Sequence, residues 1–405
     1  MWERDMDIHK VVELRTRTTC FLGVGAIQKI DSIAEDLVRR GVRRVLVVSS
    51  KSAYLKTGAW DVVLPALKKH GIEASLYAKV VPNPTDLSVD EAVRQGREFG
   101  AQAVLGIGGG SPIDAAKSIA ILLEYPGKTA RDLYTFAFTP DRALPVVAIN
   151  TTHGTGTEVD RFAVVSIPEL QYKPAIAYDC IYPLYAIDDP GLMVGLPADQ
   201  TRFVSIDAIN HVLEAATSKV ASPYSVMMAK ETVRLVAEYL PRALENPKDL
   251  EARYYLLYAS AIAGICFDNG LLHYTHALEH PLSAVKPDLA HGLGLAMILP
   301  AVVRTIYAAR ASTLADLLSP LVPGLTGAPQ EAEAAALGVE KWLARMGVSD
   351  KLEDQGYSDK DVDTLTELAF STPSLSSLLA IAPVEATRAT VASIYRASLR
   401  HSPRA

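Results

Sequence analysis

Four runs of β-branched and aliphatic residues recur early in the chain: RVLVVS at 44–49, ASLYAKV at 74–80, AVLGIG at 103–108 and LPVVAIN at 144–150. Between them, AIQKIDSIAEDLVRRG, the segment near 60–70, DLSVDEAVRQGREFG and PIDAAKSIAILLE carry apolar residues at helical spacing. Strands alternating with helices in this way build a parallel sheet covered by crossover helices. The pattern predicts a Rossmann-like α/β domain over residues 1–190.

Past residue 190 the strand signals fade. QTRFVSIDAINHVLEAATSK, YSVMMAKETVRLVAEYLPRAL and LEARYYLLYASAIAGICF are rich in good helix formers at helical period. An all-α second domain over 191–405 is expected, with the boundary in DDPGLMVGLPADQ at 188–200, where an Asp-Pro-Gly turn breaks the pattern. A chain of 405 residues, 49% of them hydrophobic, suffices for two domains with a large core. The Ala-rich stretch 325–337 reads as a loosely held connection.

The net charge of -6 provides no basic face for a nucleic-acid backbone, so a small-molecule partner is expected. Cys20, Cys180 and Cys266 lack paired spacing, which points away from disulfides and thiolate zinc sites and toward a reducing compartment. The N-terminus is charged, and no stretch reaches about 18 uninterrupted apolar residues. A cytoplasmic protein without a membrane partner is the expectation.

Gly106-Ile107-Gly108-Gly109-Gly110-Ser111-Pro112-Ile113-Asp114 follows a predicted strand and opens a predicted helix. Glycines there let backbone amides approach a pyrophosphate, and the helix N-terminus supplies free N–H donors; glycines also occur at such turns for packing alone. A second polar run, Thr151-Thr152-His153-Gly154-Thr155-Gly156-Thr157-Glu158, follows the next strand, where open parallel sheets bind ligands, although a helix-capping turn would look the same.

Of nine histidines, His273, His276, His280 and His291 share one short window, and His211 lies four residues after Asp207. On a helix, Asp207 and His211 share a face, as do His276 and His280, with His273 one turn earlier. A carboxylate with several imidazoles suits Fe²⁺ or Zn²⁺, and such an ion polarises an alcohol oxygen. Most single histidines are hydrogen-bonded core or surface residues, and His9, His70 and His401 are read as surface residues.

Six motifs in order carry a resemblance across nearly the whole chain: FLGVGAIQKI, PNPT at 82–85, GGGSPIDAAK at 108–117, TTHGTGTEV at 151–159, DAINH at 207–211, and HALEHPLSAV followed by HGLGLAMILP at 276–300. Through them the sequence resembles the iron-containing alcohol dehydrogenases. The resemblance implies hydride transfer between the nicotinamide C4 of NAD or NADP and an alcohol or aldehyde. It implies that Asp207, His211, His276 and His291 hold Fe²⁺, or Zn²⁺, with His276 and His280 at the reacting centre and His280 off the metal beside the substrate. Gly109, Gly110, Ser111 and Asp114 would hold the pyrophosphate, with Asn83, Thr151, Thr152 and Thr155 nearby. Lys173 would reach the ribose, and Phe267 would line the cleft.

The chain departs from the family pattern in several places. One extra residue separates His280 from His291, and Ser283 stands where glycine is common. His153 replaces a small residue, and Asp160-Arg161-Phe162 brings a carboxylate where threonine is frequent; either would narrow the substrate range. After the second strand, NAD-preferring relatives often carry an aspartate, but here Ser50 removes its repulsion of a 2′-phosphate, and Lys51 or Arg43 would meet that phosphate, slightly favouring NADP. Two rivals remain open at this point: a lyase resembling dehydroquinate synthase, which needs Lys and Arg aimed at a substrate phosphate, and a non-redox module whose metal only ties helices together. FLGVGAIQKI offers an edge strand for a homodimer or higher homo-oligomer.

Overall fold

The computed structural model describes residues 2–6 and 9–400, so His401 lies outside it. The strands are β1 (Thr19–Leu22), β2 (Arg44–Ser50), β3 (Glu73–Val80), β4 (Ala103–Gly108), β5 (Val146–Asn150), β6 (Phe162–Val164), β7 (Ala175–Ala177) and β8 (Tyr185–Asp188). Six of them form one sheet in the order β1-β8-β5-β4-β2-β3, with every pairing parallel. The four predicted runs became β2 to β5. The central strands β4 and β5 are buried along their whole length, which is why they read as unbroken apolar runs and not as an alternation. The chain reverses direction through the sheet between β2 and β4, so the crevice outside their carboxyl ends is the place for a ligand.

Crossover helices α1 (Ile30–Arg39), α2 (Ala59–Lys69), α3 (Asp86–Phe99) and α4 (Gly110–Glu124) cover the sheet. Thr85 and Ser88 exchange side-chain and backbone hydrogen bonds at the start of α3, and Gly100, at φ 70, ends it. A cap of this kind stabilises a helix by about 1 kcal/mol. Hydrophobic clusters fill both faces of the sheet, one around Ile119 and Leu133, the other around Ile33 and Leu105.

The remainder is helical, with no strand after β8 among the described residues. Its main helices are α5 (Ala198–Thr217), α6 (Pro223–Glu245), α7 (Leu250–Gly270), α8 (Tyr274–Val285), α9 (His291–Ile306) and α10 (Ala332–Arg345). The apolar run 291–318 is long enough to cross a membrane by length and composition, but 72% of its most apolar window is buried inside the fold, as befits a core helix. The stretch 325–337 is not the loose connection its composition suggests. The Glu331 carboxylate accepts from the amides of Thr326, Gly327 and Ala328 at 3.0 to 3.1 Å, and α10 then buries Ala335 and Ala336.

The residues following the second polar loop are fixed by a fully buried ion pair. Lys117 of α4 donates to Asp160 Oδ1 at 2.8 Å, to Thr157 Oγ1 at 2.8 Å and to the Phe162 carbonyl at 2.7 Å. Asp160 is therefore committed to Lys117 and to the amide of Phe162 and faces no substrate, a correction to its expected role. Burial pushes its carboxyl up to about 7 against the pull of Lys117. Breaking a buried pair by removing one partner strands the other charge. Lys117→Met is expected to lower unfolding stability by about 3–5 kcal/mol, and Lys117→Met/Asp160→Asn to recover much of the loss, both read from urea midpoints.

Candidate metal centre and cofactor cleft

Three helix segments converge on one buried point. On α5, Asp207, His211 and Glu214 stand at i, i+4 and i+7 and so share a face. On α8, His276, Glu279 and His280 point the same way, and His291 is the first residue of α9. Close helix contact makes this possible: a Cβ on Gly292 would lie 2.1 Å from the Phe203 carbonyl oxygen of α5, so only glycine lets α9 bring His291 in. Between His280 and His291 the chain turns at Lys286–Leu289, closed by a 3.0 Å hydrogen bond.

Around Asp207 Oδ1 lie His211 Nε2 and His276 Nε2, each at 3.4 Å, and His291 Nε2 at 3.9 Å. Ligand atoms of Asp207, His276 and His291 all lie within 4.8 Å of one another. Asp207 Oδ1 and His276 Nε2 are buried and make no hydrogen bond among the described residues. Orphaned buried groups of this kind call for a partner, and one carboxylate with three imidazoles is a donor set for Fe²⁺ or Zn²⁺. The residues present therefore fit the metal. Burial opposes ionisation of Asp207, but the facing imidazoles, led by His211, hold its carboxyl down at about 2.

Two carboxylates that the sequence reading missed set the rings. Glu214 accepts from His276 Nδ1–H and Glu279 from His291 Nδ1–H, which leaves both Nε2 lone pairs facing Asp207. Burial raises Glu214 and Glu279, yet each ends below the usual carboxylate range, held there chiefly by His276 and His291 respectively. Ser283, in the position where glycine is common, donates its hydroxyl to Glu279. His211 is oriented instead by stacking between Phe267, 4.5 Å away, and His276, 4.6 Å away. The signal for Glu214 was its place seven residues after Asp207 on one helix face.

His280 stands beside the cluster. Its Nδ1–H donates to the Lys173 carbonyl at 2.7 Å, leaving the Nε2 lone pair free, and burial together with the Lys173 ammonium drives its basicity well below normal. Lys173 reaches Glu279 at 3.3 Å and His291 Nδ1 at 3.4 Å. Expected with the cluster, His273 turns out to be a helix cap: its Nδ1 accepts from the Tyr274 amide at 2.7 Å and its Nε2–H donates to Thr217. Leu271, at φ 58, makes the turn between α7 and α8, which meet at 106°. Phe267 is buried against His211, with Phe162 5.3 Å beyond it as a second aromatic wall.

The glycine turn lies at the carboxyl end of β4, next to Ser50 at the end of β2. Cβ atoms on Gly109 and Gly110 would come within 2.8 Å of Thr152 and Thr155, so the two polar loops pack directly together. Ser111 lies in the first turn of α4 and Thr151 is tied by its amide to the Gly108 carbonyl. Asp114 is already engaged, accepting from Thr157 at 2.7 Å and from the Val164 amide at 3.0 Å, and so braces the loop where a pyrophosphate contact was expected. Asn83, at φ 54, donates to the Pro287 carbonyl across the cleft mouth. Arg43 precedes β2 and is bonded to the carbonyls of Val38 and Val42. A strand of seven residues separates it from Ser50's end, about 20 Å, so Arg43 cannot meet a 2′-phosphate there.

His153 does not face substrate either. Its ring is buried against Arg253 and Ser205, and burial followed by the Arg253 charge lowers its pKa from 6.5 to about 3. The fold thus holds the neutral ring, while the unfolded chain binds a proton below about pH 6.5, so this contribution is full above that pH and is lost on acidification toward 3. His153→Gln is expected to make unfolding free energy less sensitive to pH between 7 and 5, read by chemical denaturation. Glu214→Gln is expected to weaken metal retention about 10- to 100-fold, read by chelator competition.

Comparison with known proteins agrees with this geometry. Residues 18–190 match the family model described as iron-containing alcohol dehydrogenase, and 203–399 match the C-terminal model of the same family. A long-chain primary alcohol dehydrogenase from Thermoanaerobacter ethanolicus is 61% identical over 98% of this chain and 100% of its own. A 1,3-propanediol dehydrogenase from Klebsiella pneumoniae is 33% identical over 86% of this chain and 90% of its own. Among solved structures, NADH-dependent butanol dehydrogenase A from Thermotoga maritima superposes with a TM-score of 0.88 at 28% identity, covering 96% of this chain and 99% of that one.

Proposed function

The chain belongs to the iron-containing alcohol dehydrogenase family and is an alcohol dehydrogenase; on that premise we propose that it interconverts long-chain primary alcohols and aldehydes with a ferrous ion and either NAD or NADP. The observation that carries the reading is the convergence of buried Asp207, His211 and His276 with half-buried His291, in which Asp207 Oδ1 and His276 Nε2 are orphaned among the described residues. The substrate class follows the 61% identical relative, a long-chain primary alcohol dehydrogenase, supported by the aromatic wall of Phe162 and Phe267. No carboxylate stands at Ser50 to repel a 2′-phosphate, and exposed Lys51 is adjacent. Against a lyase acting on a phosphorylated substrate stands the lack, among the described residues, of an Arg or Lys cluster at the site, where Lys173 is paired with Glu279.

When bound, the ion supplies Lewis acidity that favours the alkoxide form of an alcohol. The residues of the chain do the rest. Phe267 and Phe162 exclude water and hold an alkyl chain, and neutral His280, its Nδ1–H held by the Lys173 carbonyl, offers its Nε2 lone pair as a hydrogen-bond acceptor that orients the alcohol hydroxyl. The glycine turn and the amides of α4 place the dinucleotide across the β2–β4 crevice, so that the reacting carbon and nicotinamide meet between the two halves. Edge strand β1 is the proposed contact of a homodimer.

The test is nicotinamide absorbance at 340 nm on anaerobically purified protein, stripped and reloaded with Fe²⁺ or Zn²⁺, across primary alcohols of increasing chain length. Metal-restored turnover with kcat/KM rising with chain length, and activity with both nucleotides, is expected. Turnover without metal overturns the site, and activity with NAD but none with NADP overturns the cofactor reading.

A further inference from the structure

Arg253 of α7 is fully buried, yet no carboxylate answers its charge among the described residues. Its guanidinium donates to His153 Nε2 at 2.8 Å, to Thr201 Oγ1 at 2.8 Å, and to the carbonyls of Pro247 at 3.1 Å and Leu196 at 3.4 Å. Because Arg253 can only donate, His153 Nε2 must accept, which fixes the tautomer and points Nδ1–H at Ser205 Oγ, 3.3 Å away on α5. Ser205 in turn donates to the Thr201 carbonyl at 2.9 Å.

Each member sits at a junction. His153 lies in the polar loop whose Thr152 and Thr155 back the glycine turn. Ser205 is two residues before Asp207 on α5, and Arg253 is on α7, the helix that carries Phe267 and leads into the turn at Leu271. The loop also touches both helices through its backbone: a Cβ on Gly154 would lie 2.1 Å from the Val204 carbonyl oxygen, and Gly156 meets Gly264 with no room for a side chain on either. Backbone contact sets how near the loop and helices come. The hydrogen-bonded chain from Arg253 through His153 to Ser205 fixes their angle, because both ring nitrogens are used.

We propose that His153 and Arg253 form a pin between the two halves of the molecule, acting as positioning residues that hold loop 151–157 against α5 and so set the distance between the nicotinamide and the alcohol carbon. The inference rests on the function proposed above. A buried arginine bound only by neutral acceptors has every reason to keep them, since it loses its charge-assisted hydrogen bond to His153 Nε2 whenever the loop moves away. Hydride transfer is sensitive to that displacement, because misplacement by about 1 Å costs on the order of 10²-fold in rate.

The experiment measures kcat, KM and the deuterium isotope effect with a 1,1-dideuterated primary alcohol, together with backbone hydrogen exchange over 151–157 and 201–211, in the metal-loaded enzyme and in His153→Ala, His153→Gln and Ser205→Ala. His153→Ala is expected to lower kcat about tenfold with KM little changed, to raise the isotope effect and to speed exchange in both segments. His153→Gln, whose amide oxygen can accept from Arg253, is expected to restore most of the rate, and Ser205→Ala to move all readouts in the same direction to a smaller extent. Parental kcat, isotope effect and exchange in folded His153→Ala overturn the pin, as does a His153→Gln variant as impaired as His153→Ala. If His153→Ala does not fold, Ser205→Ala decides: parental exchange and isotope effect overturn the proposal. A parent enzyme without nicotinamide turnover sinks the functional reading alone, and hydrogen exchange then still tests the pin.

Discussion

A carboxylate buried among imidazoles is the constraint on which the helical half depends. Asp207 is buried, and among the described residues its Oδ1 makes no hydrogen bond. Leaving an ionised group in that condition is costly by several kcal/mol, so the fold has to bring charge or metal to it. The surrounding architecture serves that need: α5, α8 and α9 converge on it, Gly292 lets the backbone of α9 approach that of α5, and Glu214 and Glu279 turn two of the rings so that lone pairs face inward. The same carboxylates make each imidazole a better donor, as outer partners of metal-bound histidines do.

The sheet solves a different problem, which is to place a large, mobile anionic ligand reproducibly next to that centre. Parallel strands buried on both faces cannot shift register without exposing their apolar side chains, so the carboxyl ends of β2 and β4 are fixed points. The two polar loops are packed together by Gly109 and Gly110 against Thr152 and Thr155, and the buried Lys117–Asp160 pair holds the second loop from behind. One strained backbone position lies next to the site. Leu271, with φ 58 and ψ 170, occupies a backbone region suited to glycine, at a cost of order 1–3 kcal/mol, and lies between the helix carrying Phe267 and the helix carrying His276.

Much of this was legible in the sequence because long apolar runs and helix-forming stretches report burial. The strands β2 to β5 stand out as β-branched and aliphatic runs and the helices α5 to α7 as long stretches of good helix formers, whereas β6, β7 and β8 have three or four residues each, too few to stand out. Asp207 and His211 could be paired from their spacing, and His276 with His280 likewise. Spacing could not distinguish His273, because a ring at a helix start caps as readily as it ligates, and only the turn at Leu271 sends it toward Thr217. Arg43 was misjudged since sequence proximity to Ser50 hides the length of the intervening strand. His153 and Asp160 drew attention as departures in a functional loop, yet their partners, Arg253 and Lys117, lie far away in sequence and only the fold brings them together. Glu331 was overlooked for a similar reason: a single carboxylate collecting three amides turns an Ala-rich stretch into a capped helix start.

The most direct measurement is X-ray absorption at the metal edge of protein loaded with one equivalent of Fe²⁺. The account predicts a shell of nitrogen and oxygen at about 2.0–2.2 Å, with the outer-ring scattering of three imidazoles, reduced to two in His276→Ala. A shell containing sulfur, or an imidazole count unchanged by losing His276, would contradict it.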